Sequence, residues 1–210
     1  HELRTPMYTV TGLTHLLLEE DPKPEQKEHL NSLKFSGEYL LSLINNILDL
    51  NKLEANKVEI EKAPFNLKKR IDGVLIALKK SAEAKNNNVH YEYDPTLPSE
   101  VMGDSLKISQ ILINLISNSI KFTENGDIWV RVKNAEKTAK KVVVHFEVED
   151  TGDGISKKKQ NTIFESFSQG SLQINRKYGG TGLGLSIVKN LLELMGSKIF
   201  LESKLGEGSK

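Results

Sequence analysis

Apolar residues recur at alternating steps of three and four through residues 26–54, at Leu30, Leu33, Gly37, Leu40, Ile44 and Ile47 up to Asn51. That spacing is the a/d seam of a coiled coil or helical hairpin. Leu41, Leu43, Leu48 and Leu50 widen the apolar face, which predicts a helix packed against more than one neighbour. Val10, Leu13, Leu16 and Leu17 predict a shorter amphipathic helix upstream, broken off by Asp21-Pro22-Lys23-Pro24. Residues 1–56 therefore read as an αα-hairpin. Two helices bury little surface alone, so the pattern predicts dimerisation into a four-helix bundle, with docking on the rest of the same chain as the alternative. Thr5 can cap a helix that starts at Pro6, or a continuous helix can run through Pro6 with a kink. The pattern leaves both open.

From residue 57 onward the periods mix. Lys57 to Glu61 alternates like a strand ending at Pro64, Asn66 can cap a helix from Leu67 to about Ala84, and Asn86-Asn87-Asn88 turns into a strand over 89–93. A helix from Asp104 or Ser105 to Phe122 carries Ile108, Ile111, Leu112 and Leu115 on its core face. Asn125-Gly126 then turns into two alternating strands, Asp127 to Lys133 and Lys141 to Glu149. A last helix runs from Gly182 to about Met195 and ends at Gly196. Strands with helices on one side predict a two-layer α/β sandwich over 57–210. Ile199 to Ser203 followed by Gly206 to Ser209 reads as a hairpin lacking its second strand, and both ends of the chain read as cut.

Composition narrows the class. A chain of 210 residues with 38% apolar side chains can bury a real core. A net charge of +1, from 29 basic and 28 acidic residues, gives no reason to expect nucleic acid as a partner. Cysteine is absent, which removes disulfides and thiolate metal sites. No apolar run approaches the ~18 to 20 residues of a membrane span, so no direct membrane contact is expected of this segment.

Three stretches carry candidate chemistry. The first runs from Asn114 to Phe122, where Gln110, Asn114 and Asn118 lie along one helix edge at i, i+4 spacing. Asparagine is a poor helix former and costs about 1 to 3 kcal/mol when buried without a partner. Amide oxygens suit Mg²⁺, which keeps phosphate oxygens in its shell, and Lys121 one turn further on can meet a phosphate; a solvated polar edge is the plain alternative. The second, Asp150-Thr151-Gly152-Asp153-Gly154, places a carboxylate at a strand end. There Asp150 can accept from an exocyclic amine while Gly152 and Gly154 permit close approach of a base, although the same letters describe an ordinary turn. The third, Gly179 to Leu185, lacks the dinucleotide-binding spacing, and no G-x-x-x-x-G-K-[ST] loop occurs anywhere. What remains is a glycine-rich turn feeding a helix N-terminus, suited to a triphosphate tail or serving only as a helix entry. Phe164 to Tyr178 reads as a mobile cover over such a site.

His1 stands beside Glu2. A carboxylate on one ring nitrogen fixes the tautomer and raises the nucleophilicity of the other. With an unperturbed pKa near 6.5, roughly three-quarters of such imidazoles are neutral at pH 7. His15, His29, His90 and His145 have no comparable neighbourhood.

These segments together resemble sensor histidine kinases of two-component systems. His1-Glu2-Leu3-Arg4-Thr5-Pro6 resembles their phosphoacceptor box, Asn114 to Phe122 the N box, Asp150 to Gly154 the first glycine box, Phe164 to Phe167 the F box, and Gly180 to Gly184 the second glycine box. The resemblance implies a dimerisation and phosphotransfer domain over 1–56 and a catalytic ATP-binding domain of the Bergerat fold over 57–210, its last strand truncated. It implies ATP and Mg²⁺, with Asn118 holding the metal, Asn114 and Lys121 assisting at the phosphates, Asp150 reading adenine, and Gly152, Gly154, Gly180, Gly182, Leu183 and Gly184 lining the nucleotide. It implies that His1 accepts the γ-phosphoryl group with Glu2 as general base and passes it to an aspartate of a response-regulator receiver domain. Thr5 matches the position at which relatives place a water that dephosphorylates the receiver. The chain would be a cytoplasmic segment acting as a homodimer through the hairpin, with a longer parent open to anchoring in the bacterial inner membrane; the H-E-L-R-T-P form is frequent in hybrid kinases. Two other classes share parts of this pattern. ATPases of the gyrase and heat-shock type keep the nucleotide pocket without the phosphoacceptor, but Gln110 and Ser117 supply no acidic base before or within the N box. A nucleotide-binding scaffold would not need Asn118, Asp150 and both glycine turns together.

Overall fold

The computed structural model describes residues 4–54, 58–138, 141–166 and 182–210. Helix α1, Arg4–Glu19, runs through Thr5 and Pro6. Of the two starts left open, capping by Thr5 is therefore not the one that forms. Proline is tolerated there because first-turn N–H groups have no intrahelical acceptor. Asp21 turns the chain in the left-handed region, at φ 52°. Helix α2, Pro24–Glu54, then opens with proline in its first turn and the Gln26 side chain accepting from the Lys23 N–H at 3.1 Å, half of a capping box. A Cβ on Gly37 would stand 2.7 Å from Thr11 Cγ2, so glycine lets the two helices approach closely.

The hairpin alone leaves apolar surface in solvent. Leu13 is 55% exposed, Leu16 56% and Leu40 45%. At its far end the seam is covered: Leu50, with Ile47, packs among Ile111, Leu183, Ile187, Val188 and Leu191. The alternative expectation, docking on the rest of the same chain, thus holds at the end near residue 50, while the apolar stripe near the turn stays exposed.

Strand β1, Ala63–Phe65, pairs antiparallel with β3, Val101–Gly103. This corrects the strand expected over Lys57 to Glu61. Val58 packs against the Leu50 cluster, and the Glu61 N–H goes to Asp104 Oδ2 at 3.1 Å instead of to a neighbouring strand. Helix α3, Leu67–Glu83, is capped as expected by Asn66, whose side chain accepts from the Lys69 N–H. Helix α4, Ser105–Phe122, is capped by Asp104. The five-stranded sheet has the order β2-β4-β5-β7-β6, from β2 Asn88–Tyr93, β4 Asp127–Lys137, β5 Val142–Asp150, β6 Ser203–Lys204 and β7 Gly208–Ser209. Only β2 and β4 run parallel. The return strand expected to be missing is thus Gly208–Ser209, inserted between β5 and β6, and the strand expected over 199–203 is confined to its last residue. The short helix α5, Lys157–Gln160, and helix α6, Gly184–Leu194, complete the elements among the described residues.

One sheet face is apolar. Ile128, Val130 and Val132 alternate inward against Leu67, Ile71, Val74, Leu112, Ile116 and Ile120 of α3 and α4, as period-2 alternation requires. On the opposite face Arg131 pairs with Glu147 at 2.6 Å and with Glu149. Helix α4 buries two stripes: Leu112, Ile116 and Ile120 meet the sheet, whereas Ile111 and Leu115 meet α6. The expected core face found only part of this, because a helix between two partners buries more than one stripe. Among the described residues no helix is long and apolar enough to cross a membrane.

Candidate functional site

Helix α4 touches two glycine-bearing segments at once. Near its middle, the Asn114 Nδ2 donates to the Gln110 carbonyl at 3.1 Å, and Asn114 Oδ1 lies 3.0 Å from where a Cβ on Gly184 would stand. Gly184 opens α6, and only glycine admits the amide oxygen there without displacement. The N-terminus of α6 has no acidic residue in its first turn and no side-chain cap. Gly182, at φ 70°, supplies the left-handed bend leading into it, and Leu183 is fully buried beneath it. A helix start of this kind presents backbone N–H groups and a positive dipole end, a natural place for phosphate.

One turn along, Asn118 is half-buried on the same edge, and its side chain has no hydrogen-bond partner among the described residues. Lys121 follows, its Nζ 4.9 Å from the Phe122 ring centroid. Burial, with the Lys85 ammonium as a second cause, pulls its pKa below the usual lysine value. A half-buried ammonium that is easier to deprotonate than usual is relieved by an approaching anion.

The other contact is at the strand end. Ser119 Oγ donates to Asp150 Oδ2 at 3.0 Å, and the Gly152 N–H donates to Asp150 Oδ1 at 3.0 Å. Burial pushes the Asp150 carboxyl above its ordinary value; hydrogen bonds from Gly152, Ser119 and Ser209 pull the other way. Gly152 and Gly154 were expected to admit a base. In the structure the space above them is occupied by the protein's own backbone: a Cβ on Gly152 would collide with the Phe122 carbonyl, and one on Gly154, at φ 64°, with the Lys204 carbonyl. They shape the turn that presents Asp150 between α4 and the β6–β7 hairpin.

The α3–β2 turn fixes the end of α4. The buried Asn87 Nδ2 donates to the Thr123 carbonyl at 2.9 Å and the Ile120 carbonyl at 3.4 Å, while its Oδ1 accepts from the Gly126 N–H at 3.2 Å. Lys85 Nζ donates to the Lys121 carbonyl. Sequence reading took Asn86-Asn87-Asn88 only as a turn; the burial of the middle asparagine is what makes it a clasp.

Structure therefore brings together Asn114, Gly184, Gly182 and Leu183 near the middle of α4, Asn118 and Lys121 along its edge, and Asp150, Gly152 and Gly154 toward its C-terminal end. Thr5 lies exposed in the first turn of α1. His1, Glu2, Gly180 and most of the expected cover, from Phe167 on, lie outside the described residues. Ser119, Lys85 and Asn87 were not singled out from sequence.

A helical hairpin precedes a mixed sheet, and asparagine amides, a lysine, a half-buried carboxylate and an uncapped helix start lie along one edge of α4, groups of the kind an ATP-binding module of the kinase type uses. Residues 103–210 match the family described as histidine kinase-, DNA gyrase B-, and HSP90-like ATPase, and residues 1–56 match the His Kinase A (phospho-acceptor) domain. The chain belongs to the sensor histidine kinases of two-component signal transduction, which are ATP-dependent protein-histidine kinases. It is 40% identical over 209 residues to the signal transduction histidine-protein kinase BarA of Escherichia coli K12, with all of this chain and 23% of the relative covered. It is 44% identical to hybrid signal transduction histidine kinase B of Dictyostelium discoideum, of which it covers 11%. The chain thus spans a quarter or less of these relatives. Among solved structures, full-length ShkA in complex with AMPPNP matches the whole chain, and 42% of its own length, at TM-score 0.78 and 31% identity. Histidine kinase ThkA in complex with the response regulator protein TrrA matches the whole chain, and 57% of its own, at TM-score 0.64 and 27% identity.

Proposed function

We propose that this chain binds Mg-ATP along the edge of α4, transfers the γ-phosphoryl group to His1, and donates it to an aspartate of a response-regulator receiver domain. The observation that carries the proposal is the double contact of α4, through Asn114 to the glycine turn of α6 and through Ser119 to Asp150. Adenine is read by Asp150, held by the turn containing Gly152 and Gly154. The phosphate tail meets the start of α6, with Gly182 in the approach, Leu183 and Gly184 at the helix entry, and Asn114 and Lys121 flanking it; Gly180, outside the described residues, is assigned to the same tail. Asn118, whose amide has no partner among the described residues, fits an oxygen-seeking Mg²⁺. When bound, the ion neutralises charge on the phosphates. A neutral nitrogen of His1 attacks the γ-phosphorus, the bond to the β–γ bridging oxygen breaks, and ADP leaves; Glu2 takes the proton from the other ring nitrogen. The phosphoryl group then passes to a receiver carboxylate, and Thr5, the fourth residue after His1 in the sequence, orients a water for its later hydrolysis. Exposed Leu13, Leu16 and Leu40 would be covered by a second copy of the hairpin.

The test is transfer of label from γ-labelled Mg-ATP to the protein. The proposal predicts acid-labile, base-stable label that is lost in His1→Gln and in Asn118→Ala. Nucleotide binding with no label in the unaltered protein would favour a simple ATPase or a scaffold and would overturn it.

A further inference from the structure

Ser119 is 7% exposed on the sheet-facing side of α4. A buried helical position is ordinarily better served by alanine, which has the higher helix propensity and no hydroxyl to satisfy. Where serine occurs inside a helix, its hydroxyl usually bonds back to a carbonyl of the preceding turn. Two other serines of α4 do this: Ser109 donates to the Ser105 carbonyl at 2.8 Å, and Ser117 to the Asn114 carbonyl at 3.2 Å. Ser119 instead reaches across to Asp150 Oδ2 at 3.0 Å.

The consequence lies in the orientation of the carboxylate. The Gly152 N–H binds Oδ1, the Ser119 hydroxyl binds Oδ2, and the Ser209 backbone N–H donates to the same carboxylate; together they fix the carboxylate plane. An ionised carboxylate offers about four acceptor positions, so one stays available to a ligand. A purine 6-amino group can donate to it, whereas a 6-carbonyl meets only lone pairs.

We propose that Ser119 is a positioning residue for base selectivity: its hydroxyl holds Asp150 in the orientation that accepts a hydrogen bond from the 6-amino group of adenine. The inference rests on the assignment of Asp150 to the adenine base. Removing the hydroxyl leaves Oδ2 without its side-chain donor, loosens the carboxylate plane and takes one charged hydrogen bond from it. The loss should fall on ligands carrying the amino group and spare those without it.

The experiment measures, by calorimetry, binding of ATP and of purine riboside triphosphate, which has hydrogen at position 6, to the unaltered chain, Ser119→Ala and Ser119→Thr. The expected result is that Ser119→Ala weakens ATP by about tenfold or more, the scale of one charged hydrogen bond, while purine riboside triphosphate is unchanged. Ser119→Thr, which keeps the hydroxyl, should retain the preference for ATP and shows that a small change of volume is tolerated. Equal weakening of both nucleotides, or no weakening of either, would overturn the role of Ser119 while leaving Asp150 as the reader. If the unaltered chain binds both nucleotides equally, the assignment of Asp150 itself fails, and the inference with it.

Discussion

Asp150 is asked to be ionised in a place that disfavours ionisation. Because burial raises its pKa in the folded protein, the native state holds a proton more tightly than the unfolded chain does. Between the ordinary and the raised value, stability therefore falls as pH rises, and at neutral pH the carboxylate is a net cost to the fold. Asp150→Asn removes that cost and keeps a carbonyl oxygen for the Gly152 N–H. We expect a melting temperature equal to or above that of the unaltered protein, a flatter dependence of stability on pH over that interval, and ATP affinity lower by at least about tenfold. Thermal melts across pH, paired with nucleotide titration, check all three. At this scale the sequence showed which residues carry unusual chemistry for their position, such as two asparagines within a helix and an aspartate at a strand end. It did not show Ser119 or Asn87, because a serine or a turn asparagine is ordinary until its partner across the fold is known.

The elements that position the site follow from periodicity where the period is long. Helices α3 and α4 start at the capping residues Asn66 and Asp104, both legible as polar caps before an apolar run. The short strands were not legible: β6 and β7 have two residues each, too few to show alternation, and Val58 and Ile60 mimic a strand although Val58, partly buried, packs against the α6 cluster. The end of α4 depends on the clasp made by Asn87, 7% exposed, with the Ile120 and Thr123 carbonyls and the Gly126 N–H. Asn87→Ala leaves two buried carbonyls and a part-buried N–H short of a partner. We expect a loss of about 1 to 3 kcal/mol in chemical denaturation, with weaker Mg-ATP binding, because Asn118 and Lys121 sit on the last turns of that helix. Asn87→Asp keeps the acceptor for Gly126 but turns a carboxylate toward two carbonyls, and should be at least as damaging.

Across the whole molecule, the hairpin and the ATP-binding part meet where Leu50 of α2 enters the cluster of Leu183, Ile187 and Leu191. Leu183 is also the N-cap residue of α6, the helix whose start we propose meets the phosphates. In that proposal the same apolar contact joins α2 of the hairpin to the helix that receives the nucleotide. The wide apolar face of α2 made some such contact foreseeable; its partners were not, since periodicity gives a face and not its neighbour. The account stands on delivery of the phosphoryl group from this site to one particular imidazole. The most direct measurement is mass-spectrometric localisation of phosphohistidine, under neutral conditions, after incubation with Mg-ATP. The account predicts phosphate on His1 and none on His15, His29, His90 or His145; phosphate on one of those four, or on none of the five, would contradict it.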